Sequence, residues 1–296
     1  MKKKKIFWIF IIMVGIISLV YGINYIFFSP TKINSFIASK IYKAPANKAF
    51  TDDNFYKCVV DAYNSKNGTS VAYTTNLSDE QLKTIESLSC SDKKIVSAAG
   101  VEKLTKLTNL DLLSNQLTEL DVSKNTALEY LDAHNNQLTR LDVSKNTALI
   151  WLNASSNQLT ELDVSKNTAL TKLYVNSNQL TELDVSKNTA LIELDAVGNQ
   201  LIELDVSKNT ALTVLDVYDN QLTKLDVSKN TALTYFRAYA NKLTELDVSK
   251  NTALTELNAS SNQLTELDVS RNTALTYFRA STNKLTELDV SKNTAL

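Results

Sequence analysis

The chain has 296 residues, a formal net charge of −1 and an apolar content of 44%. That balance supplies neither a basic field to attract nucleic acid nor a strongly acidic tail. Only 5 Gly and 2 Pro are present, which excludes collagen-like and Gly/Pro-rich linker material. One histidine, His134, serves the whole chain and leaves little catalytic chemistry on offer.

In chain order, Lys2–Lys5 form a positive cluster ahead of Ile6–Phe28, a run without a charged residue. As a helix this run reaches about 34 Å, enough for a hydrocarbon core of about 30 Å. The lysines favour the cytoplasmic side, so residues 1–28 read as a signal-anchor, or transmembrane, segment with everything beyond Phe28 outside. A cleaved signal peptide is the rival reading and makes the remainder secreted, although Val20-Tyr21-Gly22 matches a cleavage site poorly. Residues 29–49 read as a linker, with Pro30 and Pro45 fixing local turns.

Residues 50–106 read as an N-terminal cap and lead-in segment. Asp52 to Asn54 precede a helical apolar face of Phe55, Val59, Val60 and Tyr63. Asn67-Gly68 reads as a turn. Ser78 and Gln81 are spaced as a capping box before Leu82, Ile85 and Leu88, which predicts a second helix. Cys58 and Cys90 then fall one on each helical element, and in an exported domain a structural disulfide is the expected pairing. A redox or metal pair lacks the close spacing and a nearby histidine. Asp61–Gly68 carries Tyr63 and Ser65 where a calcium loop wants carboxylates or amides, so no metal site is assigned.

Residues 107–296 repeat. The phrase Leu-Asp-Val-Ser-Lys-Asn-Thr-Ala-Leu begins at Leu120 and returns every 21 residues, giving nine full coils, with one Lys-to-Arg change at Arg271. A fixed period of this length marks a solenoid whose coils bury their apolar sides only by stacking. The array stops at Leu296, just into a tenth coil, and reads as part of a longer protein. In Leu131-Asp132-Ala133 and Leu141-Asp142-Val143 the alternation predicts two strands per coil, Leu, Ala and Val inward and Asp outward. Asn136 and Asn146 stand where the chain leaves each strand and predict two asparagine ladders. Each coil-phrase Asp has a Lys three residues on, so that column reads as a self-neutralised, solvated face.

Leu128 to Leu138 fits L-x-x-L-x-[L/A/V]-x-x-N-x-L, and Leu141-Asp142-Val143-Ser144-Lys145-Asn146 repeats its core shape about ten residues later. The array therefore resembles the nested 21-residue leucine-rich repeats of bacterial surface proteins. Ile95–Leu107, with Gly100 to Leu104, is similar to the run-in of internalin-like proteins. The resemblance implies a repeat solenoid, mainly β, stacked as right-handed coils behind a small helical cap, on an exported protein.

The variable half of each coil is where a ligand could be read. Three columns differ between coils and carry Tyr130, His134, Trp151, Tyr174, Tyr218, Tyr235, Arg237, Tyr239, Tyr277 and Arg279. Exposed aromatics and arginine are the residue types that dominate interface energies. They predict an aromatic stripe on the concave side that binds a protein or glycan. The alternative is a spacer or cell-envelope scaffold without a dedicated ligand, its variable positions free to drift. Catalysis, nucleic-acid binding and a small-molecule cofactor have no motif to support them.

Overall fold

A computed structural model describes residues 49–296, so Ile6–Phe28 and the linker lie outside the described residues. Among the described residues no helix is long and apolar enough to cross a membrane.

The cap begins with helix α1, Asp53–Asn67. Asp52 caps it by accepting from the backbone N–H groups of Asn54 and Phe55, and Gly68 closes it in the left-handed conformation. The second helix, α2, is one turn only, Asp79–Leu82, held by the Ser78/Gln81 capping box. The predicted helix through Ile85 and Leu88 does not continue. Leu88 is instead the buried middle residue of strand β1, Ser87–Ser89, and Cys90 follows that strand rather than a helix. The reason is local alternation: Ser87 and Ser89 flank Leu88 with period two, and the strand's polar backbone finds its partner in the first coil. Cys58 and Cys90 are bonded, with their Cα atoms 5.8 Å apart, tying α1 to the end of β1.

Each coil then contributes one three-residue strand. These are β2 (Asn109–Asp111), β3 (Tyr130–Asp132), β4 (Trp151–Asn153), β5 (Lys172–Tyr174), β6 (Glu193–Asp195), β7 (Val214–Asp216), β8 (Tyr235–Arg237), β9 (Glu256–Asn258) and β10 (Tyr277–Arg279). With β1 they form a single parallel sheet in strict sequence order and without register slip. The central Leu or Phe of each strand from β1 to β9 is fully or almost fully buried. Together with Leu128, Ala133, Leu138 and Val143 and their equivalents, these side chains make one continuous core.

The two halves of the coil are held differently. In the first, Asn136 donates through Nδ2 to the carbonyls of Leu112 (3.0 Å) and Ala133 (3.1 Å), and its Oδ1 accepts the Leu117 N–H at 3.0 Å. In the second, Asn146 donates to the carbonyls of Val122 and Asn125, at 2.9 and 2.8 Å. Its Oδ1 has no partner among the described residues, and the same holds along that ladder. Leu141-Asp142-Val143 does not form the expected second strand. Asp142 takes the Ser144 N–H at 2.8 Å and the Val143 carbonyl is taken by Asn146 and Asn167, so only the bridge between Asp121 and Asp142 survives of a ladder. A left-handed residue precedes each first-ladder asparagine, at Ser114, Asn135, Ser156, Ser177, Gly198, Asp219, Ala240, Ser261 and Thr282. Glycine stands at that turn once.

Candidate functional site

Because only the middle residue of each strand points inward, the first and third residues of successive strands face outward together, joined by the residue two positions further on. Parallel pairing without slip sets these columns side by side: Tyr130 opposite Trp151, Asn153 opposite Tyr174, Asp195 opposite Asp216.

The predicted stripe breaks into separate groups. Tyr130 and Trp151 lie face to face, ring centres 4.1 Å apart and planes 9° from parallel. Tyr174 leans on Trp151 at 5.5 Å and 54°. Its hydroxyl hydrogen-bonds Glu193, which also pairs with Lys172 at 2.6 Å. Burial raises the Glu193 pKa, but the hydrogen bonds from Lys172 and Tyr174 outweigh it and leave the group below its ordinary value. Burial and then Glu193 push the Tyr174 phenol upward, and burial holds Tyr130 up at about 12. Further along, Tyr218 and Tyr239 stack at 4.1 Å and 13°. Arg237 lies over the Tyr235 ring at 4.5 Å and bonds Glu256 at 2.8 Å, while Arg279 lies 5.2 Å from the Tyr277 ring centre. At β6 the outward side chains are Glu193 and Asp195, with Val197 beyond the strand, so no aromatic bridges the two stacks there.

Between the stacks lies a pair of carboxylates that sequence reading passed over as an ordinary outward column. Asp195 and Asp216 are neighbours on β6 and β7. Asp195 is raised chiefly by burial, while its Oδ1 accepts the Val197 N–H at 3.1 Å. Asp216 is pushed up to about 7, first by burial and then by Asp195, with Arg237 acting against both. Its Oδ1 finds no hydrogen-bond partner among the described residues, and its other oxygen lies 3.8 Å from Arg237. No run of residue types signals this pair, because its behaviour comes from the strand register.

His134 does not join a catalytic set. The Ser155 hydroxyl is directed at Asn176, and Asp132 accepts the His134 backbone N–H at 2.9 Å rather than its ring. Among the described residues no cluster of His, Cys, Asp or Glu could hold a metal ion.

A long groove of about 1730 Å³ runs along the second, invariant half of the coils, from Ser97 to Asp226. None of the variable-column residues lines it. Leucines of the repeated phrase form its floor and carboxylates its walls. The Asp column is held below the usual carboxylate range first by the Ser N–H two residues on, as for Asp142 with Ser144, and after that by the charge of the following Lys. The face is thus a row of turn-capping carboxylates rather than of neutralised Asp–Lys pairs.

The comparisons with known proteins agree with this architecture. No protein-family model matches the chain. Internalin J of Listeria monocytogenes serotype 4b (strain F2365) is 47% identical over 77 residues, 26% of this chain but 8% of that protein. The solved functional domain of InlJ from Listeria monocytogenes is 40% identical with a TM-score of 0.67, covering 86% of this chain and 66% of that one. That domain is described as including a cysteine ladder, whereas the present array contains no cysteine. A leucine-rich-repeat protein of Leptospira interrogans superimposes with a TM-score of 0.68 at 27% identity, over 75% of this chain and 62% of that one. The repeat pattern, the single parallel sheet and these likenesses converge: the chain is an internalin-like bacterial leucine-rich-repeat protein built on nested 21-residue repeats.

Proposed function

We propose that the chain is an exported, surface-displayed recognition module that binds a protein through the outward columns of β3–β10. Ile6–Phe28 is the membrane anchor in this reading. The single observation that carries it is the pairing of rings across neighbouring coils, Tyr130 on Trp151 and Tyr218 on Tyr239. Each ring in such a stack gives one of its two faces to its neighbour. A sugar ring docks by lying flat on an open aromatic face, so mutually covered rings favour a polypeptide ligand over a glycan. Such preorganised aromatic anchors also lose little side-chain freedom on binding.

The test replaces Trp151 and Tyr174 by Ala in the full chain. Binding to candidate surface proteins and to envelope polysaccharide is then measured beside circular dichroism. Loss of a protein ligand by on the order of 2 kcal/mol or more, with the fold intact, is the expected result. Unchanged binding would return the columns to the role of a spacer's cover.

A further inference from the structure

The acidic groove on the invariant side is a second candidate surface, independent of the aromatic one. Eleven carboxylates line it against two basic side chains, Arg140 and Lys224, although the whole chain carries a net charge of only −1. The lysines of the repeated phrase lie outside its lining. Half of this acidity has a folding role, since each Asp takes a Ser N–H, as Asp163 does with Ser165 and Asp184 with Ser186. The Glu column has none: Glu161, Glu182 and Glu203 are exposed and make no hydrogen bond or ion pair among the described residues. Three consecutive coils between Arg140 and Lys224 therefore present free Glu beside turn-capping Asp, over Leu162, Leu183 and Leu204, which keep 6–7% exposure at the floor.

We propose that this groove docks a partner's basic amphipathic helix, its lysine or arginine row along the Glu and Asp columns and its apolar row on the leucine floor. Charge complementarity selects the sign of the partner, and spacing selects its form. Asp121 and Asp142 are bridged as parallel neighbours, so carboxylates recur about every 4.8 Å along the groove. A helix brings one side chain per turn to a given line, about every 5.4 Å, close enough for three successive cations to stay in register. An extended strand presents same-side residues about every 6.7 Å and loses register within two coils. Arg140 and Lys224 bound the footprint at a length of about 19 Å, so a cation set opposite either of them is repelled.

The experiment uses the full chain and a labelled helical peptide of Ala, Leu and Lys, about 15 residues long, with lysines on one face. Its affinity is read by fluorescence anisotropy at low and at physiological salt. Binding that weakens with salt is expected. E161Q/E182Q/E203Q should weaken it at least about tenfold, and R140E, which lengthens the acidic row, should tighten it several-fold. W151A/Y174A should leave it unchanged, which separates this surface from the aromatic columns. All these side chains are outward-facing, and circular dichroism verifies that each variant keeps its fold. The proposal is overturned if the peptide does not bind at low salt or if the Glu variants bind as tightly as the parent. Equal binding of a scrambled peptide, with lysines all round the helix, overturns it as well.

Discussion

Asn136 and Asn146 occupy equivalent corners of one coil and yet do unequal work. The first satisfies carbonyls on two coils and the Leu117 N–H; the second satisfies two carbonyls and leaves its own oxygen unpaired. Removing a buried partner costs the desolvation of every group it abandons. Asn136→Ala is therefore expected to cost about 2–3 kcal/mol and Asn146→Ala about 1–2 kcal/mol. Urea denaturation of the two variants measures the difference, and equal losses would contradict the assignment. Asp216 makes the second residue-scale prediction. Its folded pKa near 7 stands above the ordinary value of 3.8, so between those values the folded state holds a proton that the unfolded chain has released. Stability contributed by this group is present below about pH 4 and is lost as pH rises to about 7. Asp216→Asn should raise stability by on the order of 1–2 kcal/mol at pH 8 and leave it unchanged at pH 4, seen as a melting shift confined to the higher pH.

At the scale of elements, Phe55, Tyr56, Val59 and Val60 of α1 are fully buried in the same core as the coil leucines. Helix α1 is tied further by the Cys58–Cys90 bond and by Asp52, whose second oxygen accepts the Val96 N–H at 2.7 Å beyond β1. Phe50 fills the space above Gly100, where a Cβ would fall 2.4 Å from the ring. Replacing both cysteines by Ser is expected to lower the stability of the cap by about 2–4 kcal/mol, and a reducing agent should reproduce the loss in the parent chain but not in the variant. Much of the element structure was legible beforehand. The Asp52 cap, the α1 face and the first strand of each coil follow from side chains whose spacing matches one period and conflicts with no other. The second strand was misread because alternation in Leu141-Asp142-Val143 looks the same whether Asp142 faces solvent from a ladder or folds back to cap Ser144. The left-handed turn before each asparagine was hidden because eight of nine coils place a residue other than glycine there. Glycine at Gly198 alone hinted at it.

Across the whole array, strict repetition is what made the fold readable from the chain. Nine coils average away the ambiguity of any single short strand, since a leucine column misplaced in one coil would be misplaced in all. The sites were less legible for the same reason turned round. Tyr130 and Trp151 sit 21 residues apart, and only the slip-free register makes them a stacked pair, while Tyr218 and Tyr239 come from a different column altogether. The acidic groove was the hardest to foresee. Its walls come from residues that look like scaffold, the Asp of the repeated phrase and a column broken only at Arg140 and Lys224, and where a stack of coils is hollow depends on backbone curvature rather than on any motif.

The covalent tie between α1 and β1 carries one mechanical consequence. If the chain is tethered ahead of Ala49, any pull arrives at Thr51 and Asp52 and passes through the Cys58–Cys90 bond into β1. Helix α1 cannot be peeled away ahead of the sheet while that bond stands.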